Sequence, residues 1–117
     1  FLTGRAHAAG VPIGAGTDTP IGLSPPGYSL HMELDFLVRA GLTPIEALAS
    51  ATLRPAEYFS MTDRMGSVDV GKAADLVLLD ANPLDDIGNT KRIAAVVSKG
   101  EVLDIDALIQ SSRAAPP

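Results

Sequence analysis

The rhythm of apolar and polar positions changes once along this chain, near residue 65. Before that point the helical period dominates. Leu30, Leu34, Leu37 and Val38 recur at i, i+4, i+7 and i+8, the apolar stripe of a helix. Ser29 stands as its N-cap, Asp35 and Arg39 can pair on the outer face, and Gly41 closes it. A second start signal follows, with Thr43 as N-cap, Pro44 at the first helical position and Glu46 completing a capping box. Ile45, Leu48, Ala49 and Thr52 are expected to line one face of this helix, and a short helix is expected to begin at Pro55. Upstream, residues 1–9 read as the end of a helix stopped by Gly10. Val11, Ile13 and Ala15 then read as a short Gly-rich strand buried on both faces. Residues 19–28 hold three prolines and two glycines, which predicts a loop.

Beyond Gly66 the segments shorten to strand length. Ser67–Val70 is expected to be a strand, followed by a turn at Gly71-Lys72. Asp75–Asp80 reads as a buried strand ended by Asn82-Pro83. Ile93–Ser98, Lys99-Gly100 and Glu101–Leu103 suggest a hairpin, although Lys-Gly is a weaker turn signal than Asn-Gly. Leu103–Gln110 adds a last strand end or a short helix, and the Ser/Ala/Pro tail at 111–117 is expected to fray.

Composition narrows the function classes. The 117 residues contain no cysteine, which removes a disulfide framework, a thiolate zinc site and a cysteine nucleophile. A net charge of −5, scattered basic residues and only 4% aromatics argue against nucleic acid. No stretch approaches the ~20 apolar residues that cross a bilayer. The expectation is a soluble, cytoplasmic protein with no membrane partner. The chain opens on Phe1 rather than Met, so preceding sequence is expected to have been removed or left out.

The segment with the most chemistry is Gly10-Val11-Pro12-Ile13-Gly14-Ala15-Gly16-Thr17-Asp18. A carboxylate just past the C-terminal end of a buried parallel strand lies where α/β barrels place catalytic groups. There it can ligate a cation and accept a proton from a metal-bound water. The competing reading is an Asx turn of Asp18 with Thr19 and Pro20, and spacing alone favours that turn. A dinucleotide site is rejected. Thr19 replaces the third glycine of G-x-G-x-x-G, and a Pro-rich loop follows where a helix should start.

His31 and Glu33 lie two apart in a first helical turn, so they do not share a face as zincin histidines do. A partly exposed helix start is their plain reading, and His7 is expected on an exposed helix face. A catalytic zinc usually takes three protein ligands, so a self-sufficient site from His7, Asp18 and His31 is disfavoured. Asp69, Asp75, Asp80, Asp85 and Asp86 read as turn and strand-end residues without calcium-loop spacing.

The ordered blocks at 10–18, 29–34 (Ser-Leu-His-Met-Glu-Leu), 40–48 (Ala-Gly-Leu-Thr-Pro-Ile-Glu-Ala-Leu), 51–56 (Ala-Thr-Leu-Arg-Pro-Ala), 65–80 and 82–87 resemble one family. It is the amidohydrolase superfamily, nearest to imidazolonepropionase-like and Xaa-Pro or Xaa-Arg dipeptidase-like members. The resemblance covers about residues 1–104 and reverses the spacing-only reading of Asp18.

The resemblance implies an α/β chain: the C-terminal part of a (β/α)₈ metallo-hydrolase barrel with the C-terminal strands of its small β-sandwich. Residues 1–65 would end the barrel, with 11–18 as its eighth strand and 29–60 as helices behind it. Residues 66–104 would belong to the sandwich and 105–117 to a tail. Asp18 matches the eighth-strand aspartate that binds a divalent metal, zinc above all, and accepts the proton of the attacking water. It would then pass that proton to the leaving amine. His31 resembles a family position beside the site, from which a substrate-facing role is the expectation. The implied substrates are small amides, cyclic amides or dipeptides.

The family's other ligands are absent from this chain: the His-x-His pair, a carboxylated lysine or glutamate, and two further histidines. A whole barrel takes ~250 residues. The implied partner is therefore a missing N-terminal part, and the chain alone is expected to be inactive. Open strand edges make a homo-oligomer a further expectation. Two alternatives remain: a non-catalytic assembly module, and a small metal-binding protein with tight stoichiometric metal.

Overall fold

The computed structural model describes residues 2–19, 21 and 25–114. Helix α1 spans Leu2–Ala8, and Gly10 turns the chain out of it at φ +80°. Helices α2 (Ser29–Arg39), α3 (Pro44–Ala51) and α4 (Leu53–Tyr58) follow. Strands β1 (Leu76–Leu79), β2 (Ile93–Ser98) and β3 (Glu101–Val102) form one antiparallel sheet in the order β1-β2-β3. A 3₁₀ helix at Ile87–Lys91 leads into β2, and α5 covers Ile105–Ala114.

Local chemistry explains the helix boundaries. The capping box predicted at Thr43 is present: Thr43 Oγ1 accepts the Glu46 amide at 3.4 Å, and Glu46 Oε2 accepts the Thr43 amide at 2.8 Å. Arg39 Nε meets Asp35 Oδ2 at 3.0 Å across one turn. Gly41 ends α2 at φ +113°. Ser29 is a correction. The capping position falls on Tyr28, and Ser29 enters the helix with its hydroxyl turned to another partner. The last short helix starts at Leu53, two residues before the expected Pro55.

The core belongs to the helices. Leu34, Leu37, Leu42, Ala47 and Ile87 form one buried cluster, with Ile13, Ala15, Val38, Leu48 and Ala51 packed partly against it. The inner face of α3 is set by Ala47 and Ser50, not by Ile45, which is 59% exposed. Ser50 tolerates burial because its hydroxyl donates to the Ala47 carbonyl at 2.6 Å.

The expected strand at 11–15 is instead irregular chain without a ladder. Its amides reach helices: Val11 to the Ala6 carbonyl at 3.0 Å and Ala15 to the Ser50 carbonyl at 3.0 Å. Strand pairing needs a neighbour, and the described strands lie elsewhere in the fold. Val11 stays 50% exposed, so burial on both faces does not occur. A groove of about 620 Å³ lies along this segment, lined by Pro12–Ala15 and by Arg54, Tyr58 and Phe59.

Ser67–Val70 forms no strand, passing from a bend at Ser67 to a turn at Val70, and Val68 and Val70 project into solvent. The hairpin is as expected. Lys99 and Gly100 both adopt positive φ, +51° and +85°, as a type I′ turn requires. The Asp75 carboxylate accepts the Lys99 amide at 2.8 Å, which compensates for a turn residue without the Asn preference. β1 pairs with β2 through Leu76–Val97, Val77–Val96, Leu78–Ala95 and Leu79–Ile93, with a bulge before Leu79. β1 is not buried as expected, since Val77 and Leu78 are more than half exposed. Among the described residues no helix is long and apolar enough to cross a membrane.

Candidate active site

Asp18 follows the irregular segment 11–17, with its side chain exposed and its backbone at φ +50°. Few residues other than glycine adopt this left-handed region, and Asp is among them. The Asp18 carbonyl accepts the Ile21 amide at 2.9 Å. Pro20, the other half of the Asx-turn expectation, lies outside the described residues.

The chain around Asp18 is tied to the start of α2. Thr19 Oγ1 donates to Thr17 Oγ1 at 3.0 Å. With that proton spent, the 2.6 Å contact between Thr19 and Ser29 has the Ser29 hydroxyl as donor. Ser29 is buried at 7% exposure, so the relay Ser29–Thr19–Thr17 is anchored on the helix. One turn on, Glu33 Oε1 accepts the Gly16 amide at 3.3 Å. Hydrogen bonds to α2 therefore flank Asp18 on both sides.

His31 leaves the same helical turn toward the second half of the chain. Its Nδ1 lies 3.0 Å from Thr90 Oγ1, in the 3₁₀ helix before β2. Burial, then the Lys91 ammonium, push the His31 pKa below its ordinary value, so the ring is neutral at pH 7. Lys91 Nζ sits 5.4 Å from the centre of the Tyr28 ring, which packs tilted to His31 at 6.2 Å.

His7 is half-buried rather than on an open helix face, with Nε2 3.8 Å from Glu46 Oε2. Hydrogen bonds from Thr43, first of all its hydroxyl, hold the Glu46 carboxyl below the usual range. Three of the other aspartates cap backbone amides, Asp69 and Asp86 locally and Asp75 across to the hairpin turn. Asp69 accepts the Val70 amide, Asp75 the Lys99 amide, and Asp86 the Gly88 amide at the 3₁₀ start.

Among the described residues, no three His, Asp or Glu side chains gather in a group that could hold a metal ion. A catalytic zinc takes three protein ligands, so these residues do not complete such a centre themselves. What the geometry offers is one exposed carboxylate on a braced turn, with a neutral histidine based in the helical turn that braces it. Sequence reasoning singled out Asp18 and His31 as candidates and did not anticipate the brace. The available signal was the pair of threonines flanking Asp18, since Thr hydroxyls commonly bond nearby polar groups.

Residues 3–103 match the model of the amidohydrolase family. An imidazolonepropionase of Geobacillus sp. (strain WCH70) is 42% identical over 73 residues, 62% of this chain and 17% of that protein. The solved structure of a molinate hydrolase superposes with a TM-score of 0.84 at 32% identity, covering 98% of this chain and 28% of its own. A Xaa-Pro dipeptidase structure with bound methionine in its active site gives 0.79 at 30% identity, covering 87% of this chain and 24% of its own. The chain spans about a sixth of the length of the curated relatives it matches. With a family match running through both the helical and the sheet halves, this chain belongs to the amidohydrolase family.

Proposed function

We propose that this chain is the C-terminal part of a metal-dependent hydrolase that cleaves C–N bonds in small amides, cyclic amides or dipeptides. Residues 11–18 serve as the eighth strand of a (β/α)₈ barrel, 29–60 as the helices behind it, and 66–104 as its share of a small β-sandwich. Residues 1–65 and 66–104 are then the end of the barrel and the sandwich share, joined where Ile87 enters the helical core. Asp18 supplies one carboxylate to a divalent metal, zinc by preference, and accepts the proton of the attacking water. The remaining ligands come from an N-terminal part outside this chain, and the chain alone has no turnover. His31 faces the substrate.

The observation that carries this reading is the exposed Asp18 carboxylate on a turn pinned to α2 from both sides. Catalytic groups need such bracing because a small displacement costs rate steeply. In the intact enzyme containing this segment, Asp18→Asn is expected to lower kcat/KM on the order of a thousandfold or more. Asn keeps the shape and tolerates the positive φ, so the fold is retained. Unchanged activity would sink the assignment. The chain alone, incubated with zinc and desalted, should retain almost no metal.

A second reading is favoured by one feature. β1 lies at a sheet edge with Val77 and Leu78 exposed, which suits an assembly module that pairs through that edge. Sedimentation velocity separates the two: a sharp, metal-independent rise in size with concentration supports assembly, and a stable monomer opposes it.

A further inference from the structure

We infer that Thr90 is a positioning residue for His31: it fixes the ring in the tautomer with its proton on Nδ1 and the lone pair on Nε2. This deepens the proposed substrate-facing role of His31 and rests on that reading for its functional half.

The argument is a count of protons. Thr90 Oγ1 donates to the Ile87 carbonyl at 2.9 Å, closing a turn of the 3₁₀ helix. A hydroxyl has one proton, and Thr90, 6% exposed, has little access to solvent. Only lone pairs remain for the 3.0 Å contact with His31 Nδ1, so Nδ1 must be the donor. Nε2 of a neutral ring is then an acceptor. Burial and the Lys91 charge keep the ring neutral, so the acceptor persists through neutral pH. Ile87 is itself buried in the helical core at 5% exposure, which fixes the carbonyl that sets the Thr90 proton.

The chemical consequence concerns ligand class. An Nε2 acceptor takes an N–H from a bound amide or amine, and it repels a carbonyl oxygen or carboxylate. Without Thr90 the ring is free to exchange tautomers and offer a donor instead. A residue from the sheet half thus selects the polarity of a group on α2.

Long-range ¹⁵N–¹H correlation spectra of the imidazole rings in the full chain test the structural half directly. The expected result at neutral pH is a pyrrole-type Nδ1 and a pyridine-type Nε2 for His31. Thr90→Val should mix or reverse the pattern, Thr90→Ser should restore it, and the His7 signals should stay put as a fold control. Finding Nε2 protonated, or the pattern unmoved in Thr90→Val, overturns the inference. In the intact enzyme, Thr90→Val should lower kcat/KM on the order of tenfold, with rescue by Thr90→Ser. Altered tautomers with unchanged turnover would overturn the functional half. The spectra do not depend on Asp18 or on a metal, so failure of the metallo-hydrolase reading would leave the tautomer result standing.

Discussion

The helical region up to residue 61 and the sheet region after residue 66 use their apolar residues in opposite ways. In the first, Leu34, Leu37, Leu42 and Ala47 are all at or below 4% exposure. In the second, Ile87 is the one buried hydrophobic among the described residues, and it is buried in the helical core. Leu76, Val77, Leu78 and Ile93 are apolar yet exposed. The radius of gyration, 15.6 Å, exceeds the about 13 Å of a compact domain of this length. A sequence with a core-forming pattern in both regions has satisfied that pattern in one. Among the described residues, nothing covers the apolar side chains of the sheet.

That contrast can be broken at its strongest point. Leu37→Ala removes a side chain at the centre of the one core, and should cost about 3 kcal/mol of unfolding free energy in a urea titration. A loss below about 1 kcal/mol would mean that the helical region is no more cohesive than the sheet. Thr43→Ala tests whether that region also depends on its local signals. Loss of the cap should cost about 1 kcal/mol, and the amides of α3 should exchange faster than those of the hairpin. Leu78→Ser sharpens the comparison from the other side. On an uncovered face it should change stability by less than about 0.5 kcal/mol. A cost above about 2 kcal/mol would show that this face is covered in solution, by another copy of the chain or by a bound segment.

Much of the helical region was legible because its signals are local. The Thr43–Glu46 box, the Asp35–Arg39 pair and the glycine stops each act within one turn and need no knowledge of the rest of the fold. The misreadings came from partners distant in sequence. Val11–Ala15 has strand composition, yet a strand exists only beside another strand. Ser29 has cap chemistry, yet Thr19 claimed its hydroxyl. Asp75–Asp80 has the apolar run of a buried strand, but burial requires an opposing layer. At the site, the ordered motifs pointed to Asp18, whereas its bracing by Glu33 and Ser29 and the Thr90 contact of His31 depend on packing that one sequence does not display.

The left-handed backbone at Asp18 has a consequence for how substitutions there are ranked. At φ +50° a Cβ crowds the following carbonyl, so conformation alone admits Gly, which has none, and Asn, whose short polar side chain bonds locally, ahead of Glu and other side chains. Metal chemistry alone admits Glu and rejects Asn, because it asks for a carboxylate. The two demands order the same substitutions oppositely, and aspartate satisfies both. A stability scan and an activity scan at this position should therefore be anticorrelated, with Asn high in the first and low in the second.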